Sequence, residues 1–414
     1  MAHSLASTSS AHDHGPANHD HGPGHDHGHD HDEPHNDIIY PSALAFIVVH
    51  LVGIVGAFIV GITPTTLAIC VGLYLLRMFA ITAGYHRYFS HKSFSTSRVM
   101  QFVLAFVAQS SAQRGALWWA SVHRHHHKHS DTEHDVHSPR HAGLWHSHVG
   151  WIWDRSVRDD HEYDNIPDLM RYPELVWLDK QKYLPAILLG LAVFLAAGLD
   201  ALIVGFFLST VVLYHGTFFI NSLAHVIGTQ RYLTGDDSRN NWWLAVITLG
   251  EGWHNNHHYY QASARQGFRW YEIDVTYYIL KAMSWVGLVW DIKAPPKAII
   301  DNARPLPRPV LERVAQQVAA GWDDSLDALC DQARRVLPVE ALQDRASHTR
   351  EQLRAKLDEL PDLPSLDALR QYASDLFTDA PQLDAVVARA RHILLDAIAE
   401  RLASASAAPQ PQPA

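Results

Sequence analysis

Histidines in short, regularly spaced groups are the residues of this chain most suited to chemistry. Residues 123–127 read HRHHH and residues 254–258 read HNNHH. On a helix, positions i, i+3 and i+4 share one face. Three histidines of each group have that spacing, namely His123, His126 and His127, and then His254, His257 and His258. Because imidazole is a good ligand for iron, zinc, copper and nickel, both groups predict metal binding. His125 lies about 200° around the helix from His123 and His127, so it should point away.

Two further histidine groups follow apolar segments. The sequence HRYFSH contains His86 and His91, and the sequence NSLAH contains Asn221 and His225. Asn221 and His225 are i and i+4 and can face one point. His86 and His91 lie about 140° apart on an α-helix, a spacing that favours a frayed helix end. Both groups follow apolar segments that end on the same side of the predicted membrane. This placement predicts one shared site.

The number and type of these donors narrow the choice of metal. One ion takes roughly four to six ligands, so nine inward-facing imidazoles imply two ions. Structural zinc sites usually include cysteine, whereas neither cysteine of this chain lies in a histidine group. Two iron ions with open positions for oxygen are therefore predicted. Soluble di-iron bundles need two Glu-x-x-His pairs, and only Glu251 and His254 have that spacing, which disfavours that class.

Apolar stretches predict an all-α membrane protein with four transmembrane helices in two hairpins. Residues 43–62 and 67–84 form the first pair, and residues 184–198 and 201–220 form the second. A helix needs about 20 apolar residues to cross a bilayer. The turns within the pairs contain no Lys or Arg, so the positive-inside rule places both termini and the histidine groups in the cytosol. Residues 99–119 are less apolar, and we expect them at the membrane interface.

Composition divides the rest of the chain. Residues 1–37 alternate His, Asp, Gly and Pro, which predicts a disordered tail that binds or buffers metal weakly. Residues 38–300 form the predicted four-span domain with a cytosolic helical cap that holds the metals. Residues 301–404 read as a helical cytosolic extension, and 405–414 as a second disordered tail. The net charge of −10 argues against nucleic-acid binding.

Five motifs together resemble the membrane fatty-acid desaturases, in particular the acyl-CoA delta-9 (stearoyl-CoA) desaturase branch of bacterial type: AGYHRYFSH, HRHHHKHSD, GLWHSHVGW, NSLAH and GEGWHNNHH. The resemblance extends from about Ser42 to about Lys297. It implies an oxygen-dependent oxidoreductase that inserts a cis double bond into a saturated acyl chain. It also implies two non-haem iron ions, with Asn221 holding a metal-bound water and nine ligands: His86, His91, His123, His126, His127, His225, His254, His257 and His258.

The resemblance also implies partners. The substrate would be a fatty acyl thioester, most simply an acyl-CoA, and O2 would be reduced to water. The sequence contains no His-Pro-Gly-Gly haem motif, so electrons would come from a separate ferredoxin-like or rubredoxin-like donor with its reductase. The enzyme would be a multi-pass protein of the bacterial cytoplasmic membrane.

Large apolar side chains beside the histidine groups are predicted to wall an acyl tunnel. Trp119 lies one helical turn before the HRHHH group, and Trp253 directly precedes the HNNHH group. Tyr74 and Met78 are an i, i+4 pair on the second predicted span, below the HRYFSH group. Ordinary packing within that span explains Tyr74 and Met78 equally well.

Two other functions fit part of the pattern. A membrane di-iron hydroxylase of a lipid or hydrocarbon shares the histidine groups and the oxygen chemistry, although the order of the motifs favours desaturation. A metal transporter would use the N-terminal tail to capture ions. Transporters bind their substrates near the middle of the membrane, whereas these histidines follow the ends of the apolar segments.

The remaining histidines are predicted to have ordinary structural roles. His50 and His215 lie within apolar segments, where hydrogen bonding between helices is expected. Four others are expected to be solvated surface residues: His129, His134, His137 and His161.

Overall fold

The computed structural model describes residues 41–154, 163–303, 305–322, 326–337, 350–360, 363–377 and 382–407. The predicted N-terminal tail, His161 and residues 408–414 lie outside the described residues. Within the described ranges the chain is mostly helical. One small antiparallel sheet pairs Ser95–Thr96 with Val289–Trp290.

The first apolar helices follow one another closely in the chain. The first is continuous over three consecutive segments: Pro41–His50, Leu51–Val55 and Gly56–Val60. The second covers Pro64–Ser90. It begins with Pro64 in the first turn, and the Thr63 hydroxyl accepts a hydrogen bond from the Thr66 N–H at 3.2 Å. This capping pattern satisfies a backbone donor that the first turn leaves free.

The next apolar run, Leu184–His225, contains two helices that double back on each other. The chain leaves the helical conformation at Gly198, where φ is +82°, a value that glycine adopts without steric cost. Phe206 lies 3.5 Å from the Cβ position of Gly190, so the second helix packs antiparallel to the first. The bounds are Leu184–Asp200, Ala201–Leu208, Ser209–Asn221 and the short turn Leu223–His225.

Two helical runs among the described residues, Pro64–Ser90 and Leu184–His225, are long and apolar enough to cross a membrane. A small core of Ala57, Cys70 and Val204 joins the apolar helices. Many of their large apolar side chains face outward, and Phe58 is 86% exposed. Such a surface is unfavourable in water and suits a lipid environment. The chain is therefore a membrane-associated protein with a mainly helical fold.

Short helices build a cap around the ends of the apolar helices. The segment predicted to be interfacial divides into two helices, Arg98–Gln109 and Ala116–His129. The remaining bounds of the cap are Pro139–His148, Gly150–Trp153, Tyr163–Asn165, Pro167–Met170, Pro173–Lys180, Trp242–Ile247, His254–Tyr259, Val275–Trp285 and Lys297–Ile300. A buried cluster that includes Tyr85, Leu117 and Leu280 holds these helices together.

The described helices from Arg308 onward form a C-terminal bundle with a hydrophobic core. Its helices are Arg308–Ala320, Leu326–Val336, Arg350–Asp358, Leu366–Leu376 and Leu383–Ala407. The last helix contributes side chains such as Val386, Leu395 and Ile398 to this core, all fully buried. This helix extends to Ala407, three residues into the segment that the composition predicts to be disordered.

Candidate metal centre

The structure brings the nine predicted histidines into two adjacent groups. The ligand nitrogens within each group lie within 4.8 Å of one another. The rings of His127 and His258, one from each group, have centroids only 4.4 Å apart. The five-histidine group is His86, His91, His123, His127 and His257, and the four-histidine group is His126, His225, His254 and His258.

Each of the two histidine-rich helices serves both groups. An α-helix turns about 100° per residue, so positions i+3 and i+4 lie on opposite sides of position i. The i and i+4 histidines of Ala116–His129 join the five-histidine group, and the histidine at i+3 joins the four-histidine group. In His254–Tyr259 the roles are exchanged. One helix face thus spans two neighbouring sites.

A widened helix places His86 and His91 together. The α-helix ends at Phe79 and continues as a π-helix over Ala80–Ser90. In a π-helix the hydrogen bonds join residues five apart, and the His91 N–H donates to the His86 carbonyl oxygen at 3.3 Å. The two ring centroids lie 4.9 Å apart. The predicted frayed end is therefore wrong, because the helix continues in a wider form that aligns both rings.

The spacing of the nitrogens suits metal ions. In the five-histidine group, Nε2 atoms of His86 and His257 lie 2.9 Å apart, and those of His127 and His257 lie 3.0 Å apart. Nitrogens about 2.1 Å from an ion lie about 3.0 Å apart in an octahedral arrangement and about 3.4 Å apart in a tetrahedral one. The observed spacing matches a five- or six-coordinate ion.

Proton positions lead to the same conclusion. A neutral imidazole has one N–H, and the Nδ1 of His258 faces the Asp236 carboxylate at 2.8 Å. The Nε2 of His258 must therefore present a lone pair, and it is buried without a hydrogen-bond partner. A buried lone pair of this kind is costly unless a cation accepts it. The donor set of both groups therefore fits a pair of metal ions.

Four carboxylates orient the imidazoles from behind. Asp131 contacts the Nδ1 of His225 at 2.8 Å, and Asp135 contacts the Nδ1 of His126 at 3.0 Å. Asp236 and Glu251 contact the Nδ1 atoms of His258 and His86. Each carboxylate fixes the tautomer that leaves Nε2 free for a metal, an arrangement typical of metal-binding histidines. Sequence reasoning missed all four of these roles.

A buried ionic network supports one of these carboxylates. Arg87 is 1% exposed, and its guanidinium donates to Glu251 at 3.0 Å and to Asp274 at 2.9 Å. Glu251 in turn contacts the ring of His86. The arginine thus neutralises two carboxylates in a region from which water is excluded.

Burial keeps the ligand rings of His123, His254 and His257 neutral, whereas at His225 burial lowers the pKa but the charge of Asp131 raises it to about 9. Desolvation, followed by the charge of neighbouring imidazoles, holds the pKa values of His123, His254 and His257 well below the ordinary range. Burial alone would raise the pKa of Asp236, but the ring of His258 lowers it overall. Neutral imidazole is the form that binds metals, so the rings of His123, His254 and His257 are competent ligands at neutral pH.

An apolar cavity reaches the five-histidine group. Trp119 lines the cavity, and its ring stacks on that of His123 with centroids 4.8 Å apart. Asn221 lines the same cavity. Six further lining side chains are aromatic: Phe46, Trp118, Trp151, Tyr183, Tyr214 and Phe218. An apolar slot that ends at metal ligands is suited to a long hydrocarbon chain.

The other predicted tunnel residues lie outside the lining of this cavity. Tyr74 and Met78 lie behind it, with their side chains 3.0 and 3.1 Å from the Cβ position of Gly216. The hydroxyl of Tyr74 donates to the Ile247 carbonyl oxygen at 2.6 Å. The indole of Trp253 is buried and donates to the Ile273 carbonyl oxygen at 2.8 Å.

Histidines outside the nine have mixed outcomes. His50 and His215 face each other through their Nε2 atoms at 3.3 Å, which confirms the predicted contact between helices. His137 was expected on the surface, and that prediction is wrong. It is 4% exposed, lines the cavity and packs on the ring of His126. The turn that contains Asp135 folds back under the Ala116–His129 helix and buries His137 with it.

Comparison with known proteins places this arrangement in a family. A family model for fatty acid desaturases matches residues 62–286, which is more than half of the chain. The chain belongs to the fatty acid desaturase family. Members of this family are membrane-associated oxidoreductases that are generally di-iron.

Three relatives within the desaturase family differ in substrate. The chain is 37% identical over 217 residues to a probable chloroplastic lipid desaturase of Arabidopsis thaliana, covering 52% of this chain and 60% of the relative. It is 36% identical over 230 residues to the acyl-CoA C20 delta5-desaturase of Anemone leveillei, covering 55% and 73%. It is 38% identical over 229 residues to the sn-1 stearoyl-lipid 9-desaturase of Synechocystis, covering 54% and 70%. The chain thus spans about three fifths of the length of the Arabidopsis relative.

The carboxylates behind the rings lead to a first prediction. Replacing Asp236 with alanine should weaken metal binding by about 10–100-fold, because the ring of His258 loses the group that fixes its tautomer and orientation. Competition with a coloured chelator measures this affinity. The matched control is Asp164→Ala, which changes an exposed carboxylate and should leave the affinity unchanged. Equal effects of the two substitutions would contradict the orienting role.

Proposed function

We propose that this protein is a membrane fatty acyl desaturase that inserts a cis double bond into a saturated acyl chain. The observation that supports the proposal most strongly is the contact between the five-histidine group and a cavity that is partly walled by aromatic side chains. Trp119 and His123 form that contact. A cavity of this shape can present one pair of methylene carbons to a metal site while excluding water.

Two iron ions, one per histidine group, are part of this proposal. Bound iron would supply the oxidising power, drawn from O2, that no amino-acid side chain has. The overall reaction converts CH2–CH2, O2, two electrons and two protons into CH=CH and two waters. Asn221 would hold a metal-bound water, since it lines the cavity four residues before the ligand His225.

The remaining residues hold and position the substrate. Trp119 would press the acyl chain against the site, because its ring covers His123 on the cavity side. Trp253 would support the neighbouring ligand His254 from its buried position. Trp119 would thus confine the hydrocarbon and exclude water, while Trp253 would act only through His254.

Tyr74 and Met78 would set the depth of the acyl tunnel. Both pack against Gly216, whose neighbour Thr217 lines the cavity. Met78→Ala should open space behind this wall, so that longer acyl chains become better substrates by severalfold. Gas chromatography of membrane lipids from expressing cells measures the chain lengths. An unchanged chain-length profile would contradict the tunnel-floor role, and Met170→Ala, at an exposed position of the cap, is the matched control.

The proposed substrate is an acyl-CoA, and the proposed position of the double bond is delta-9. The similarity to the sn-1 stearoyl-lipid 9-desaturase supports the double-bond position. The similarity to the acyl-CoA C20 delta5-desaturase supports the acyl-CoA carrier. Incubation of the purified protein with stearoyl-CoA and with stearoyl lipid in parallel separates the two carriers. Cleavage of the product at its double bond, followed by mass spectrometry, locates the bond.

The proposal includes a membrane topology with four spans in two hairpins and both termini in the cytosol. The turn at Gly198 and the antiparallel contact between Gly190 and Phe206 support the second hairpin. A separate ferredoxin-like or rubredoxin-like protein, kept reduced by its reductase, would deliver the electrons on the cytosolic side of a bacterial membrane.

Expression in a host without its own desaturase tests the proposed function. Cells that produce the chain should accumulate unsaturated fatty acids in air and not under anaerobic conditions. A chain with His254→Ala is the inactive control. Hydroxylated fatty acids in place of unsaturated ones would contradict desaturation, and mass spectrometry distinguishes the two products.

A further inference from the structure

The C-terminal bundle contacts a loop that reaches the metal centre. Residues 233–238, here named the acidic loop, lie between the histidine groups and the bundle. Leu233 is 3% exposed and belongs to the hydrophobic core of the bundle. It is the one residue of the acidic loop in that buried core. The loop is therefore anchored in a part of the chain outside the matched desaturase region.

The bundle also approaches the loop through one helix face. Gly235 has a φ of +82°, and its Cβ position lies 3.2 Å from Nε of Arg313. A side chain there would crowd Arg313 and strain the backbone at this φ, so glycine suits the close approach. Gln317, one turn further along, donates to the Asp237 carboxylate at 3.4 Å. Arg140, which belongs to the cap, donates a hydrogen bond to the same carboxylate at 2.8 Å.

The opposite side of the acidic loop holds the four-histidine group. Asp236 contacts the ring of His258 at 2.8 Å. The backbone N–H of Asp237 donates to Asp131 at 2.7 Å, and the same Asp131 oxygen contacts His225 at 2.8 Å. Within the loop, the Asp236 carboxylate accepts hydrogen bonds from the Thr234 hydroxyl and from the N–H and hydroxyl of Ser238. Two imidazoles of one group thus depend on carboxylates that this loop positions.

We propose that the C-terminal bundle is a buttress for the metal centre, holding the acidic loop so that Asp131 and Asp236 orient His225 and His258. The described residues of the bundle contribute no side chain to either histidine group. The bundle fixes the carboxylates that fix two imidazoles, so Leu233 and Gln317 are positioning residues. The five-histidine group has no carboxylate from this loop among its contacts in the described residues, so the buttress acts on one of two sites. This inference rests on the proposed binding of two iron ions.

Full-length variants test the buttress. Leu233→Ala empties the anchor position, and Leu233→Met refills it with a side chain of similar volume. We expect iron transfer to a chelator to become about tenfold faster for one of the two ions in Leu233→Ala and to stay unchanged in Leu233→Met. Gln317→Ala should accelerate the same ion roughly threefold. Gln316→Ala, at the adjacent exposed position, is the matched control.

A second measurement does not depend on iron. In metal-free protein, hydrogen exchange of the Asp237 amide should be about tenfold faster in Leu233→Ala than in the wild type, because that amide bonds to Asp131. When Leu233→Ala is loaded with iron, its kcat should fall in proportion to the fraction of molecules that have lost the ion of the four-histidine group. Its KM should stay constant.

Distinct outcomes separate the failure of each proposal. Wild-type release rates in folded Leu233→Ala protein, or equal acceleration for both ions, would overturn the buttress. Unchanged exchange of the Asp237 amide in Leu233→Ala would overturn it as well. A wild-type protein that is active without iron would overturn the proposed function, and the exchange measurement would still decide whether the bundle holds the loop.

Discussion

Replacing either His123 or His254 with alanine should reduce desaturation by more than 100-fold. The two histidines belong to different groups. The Nε2 atom of each lies about 3 Å from the Nε2 atom of another histidine of its own group. Loss of a ligand should exceed the 10–100-fold effect typical of the groups behind the ligands. Product formation by the purified variants and their iron content measure the effect. Each variant should retain fewer than two tightly bound ions.

His125→Ala is the matched control for these substitutions. His125 lies within the same HRHHH run, but its Nε2 hydrogen-bonds the His134 carbonyl oxygen at 3.0 Å and it belongs to neither group. The His125→Ala protein should keep wild-type activity and both ions. If His125→Ala were as inactive as His123→Ala, the division of the run into ligands and bystanders would be wrong.

The Glu251→Gln substitution should be the most damaging change among the residues that are not proposed as ligands. Glu251 neutralises the buried guanidinium of Arg87 and contacts the ring of His86. Its removal leaves a buried cation with one partner fewer, which costs about 3 kcal/mol of unfolding free energy. It also frees the ring of His86, which should lower metal affinity by about 10–100-fold. Denaturant unfolding in detergent and metal titration measure the two effects.

Glu174→Gln gives the comparison for the ionic part of this effect. Glu174 pairs with Arg98 at the surface, where the arginine side chain is 63% exposed. Exposed pairs contribute about 0.2–1 kcal/mol, so this substitution should change the unfolding free energy by less than 1 kcal/mol and leave metal affinity alone. A Glu251→Gln protein as stable as Glu174→Gln would mean that the buried network has no structural role.

Local spacing predicted which histidines lie together. The rings that the i, i+3, i+4 rule selected in the HRHHH and HNNHH runs are the ones that the structure gathers into two groups, and His125 lies outside both, because the geometry of an α-helix is determined by neighbouring residues. The two histidine-rich helices do have the predicted form. Spacing alone did not separate the nine rings into five and four, because this separation depends on how two helices from distant parts of the chain meet.

Other features depended on tertiary structure and could not be predicted from local sequence. The contacts of Asp131 with His225 and of Glu251 with His86 join residues 94 and more positions apart. The π-helix that precedes His91 replaces α-helical geometry in a segment that is almost entirely buried. A weak signal for the carboxylates was available, since Asp131 and Asp135 lie close after the HRHHH run. The link between the acidic loop and the bundle had no comparable signal.

The most direct test of the two-metal site is Mössbauer spectroscopy of the purified full-length protein loaded with iron-57. The histidine-rich residues 1–37 are predicted to bind metal weakly, so a chelator wash first removes loosely held iron. We expect two tightly held ions per chain in two distinct nitrogen-rich environments of equal abundance. Both signals should be lost in the His123→Ala, His254→Ala double variant. Fully active enzyme with one tightly held ion, or with none, would contradict the two-metal site.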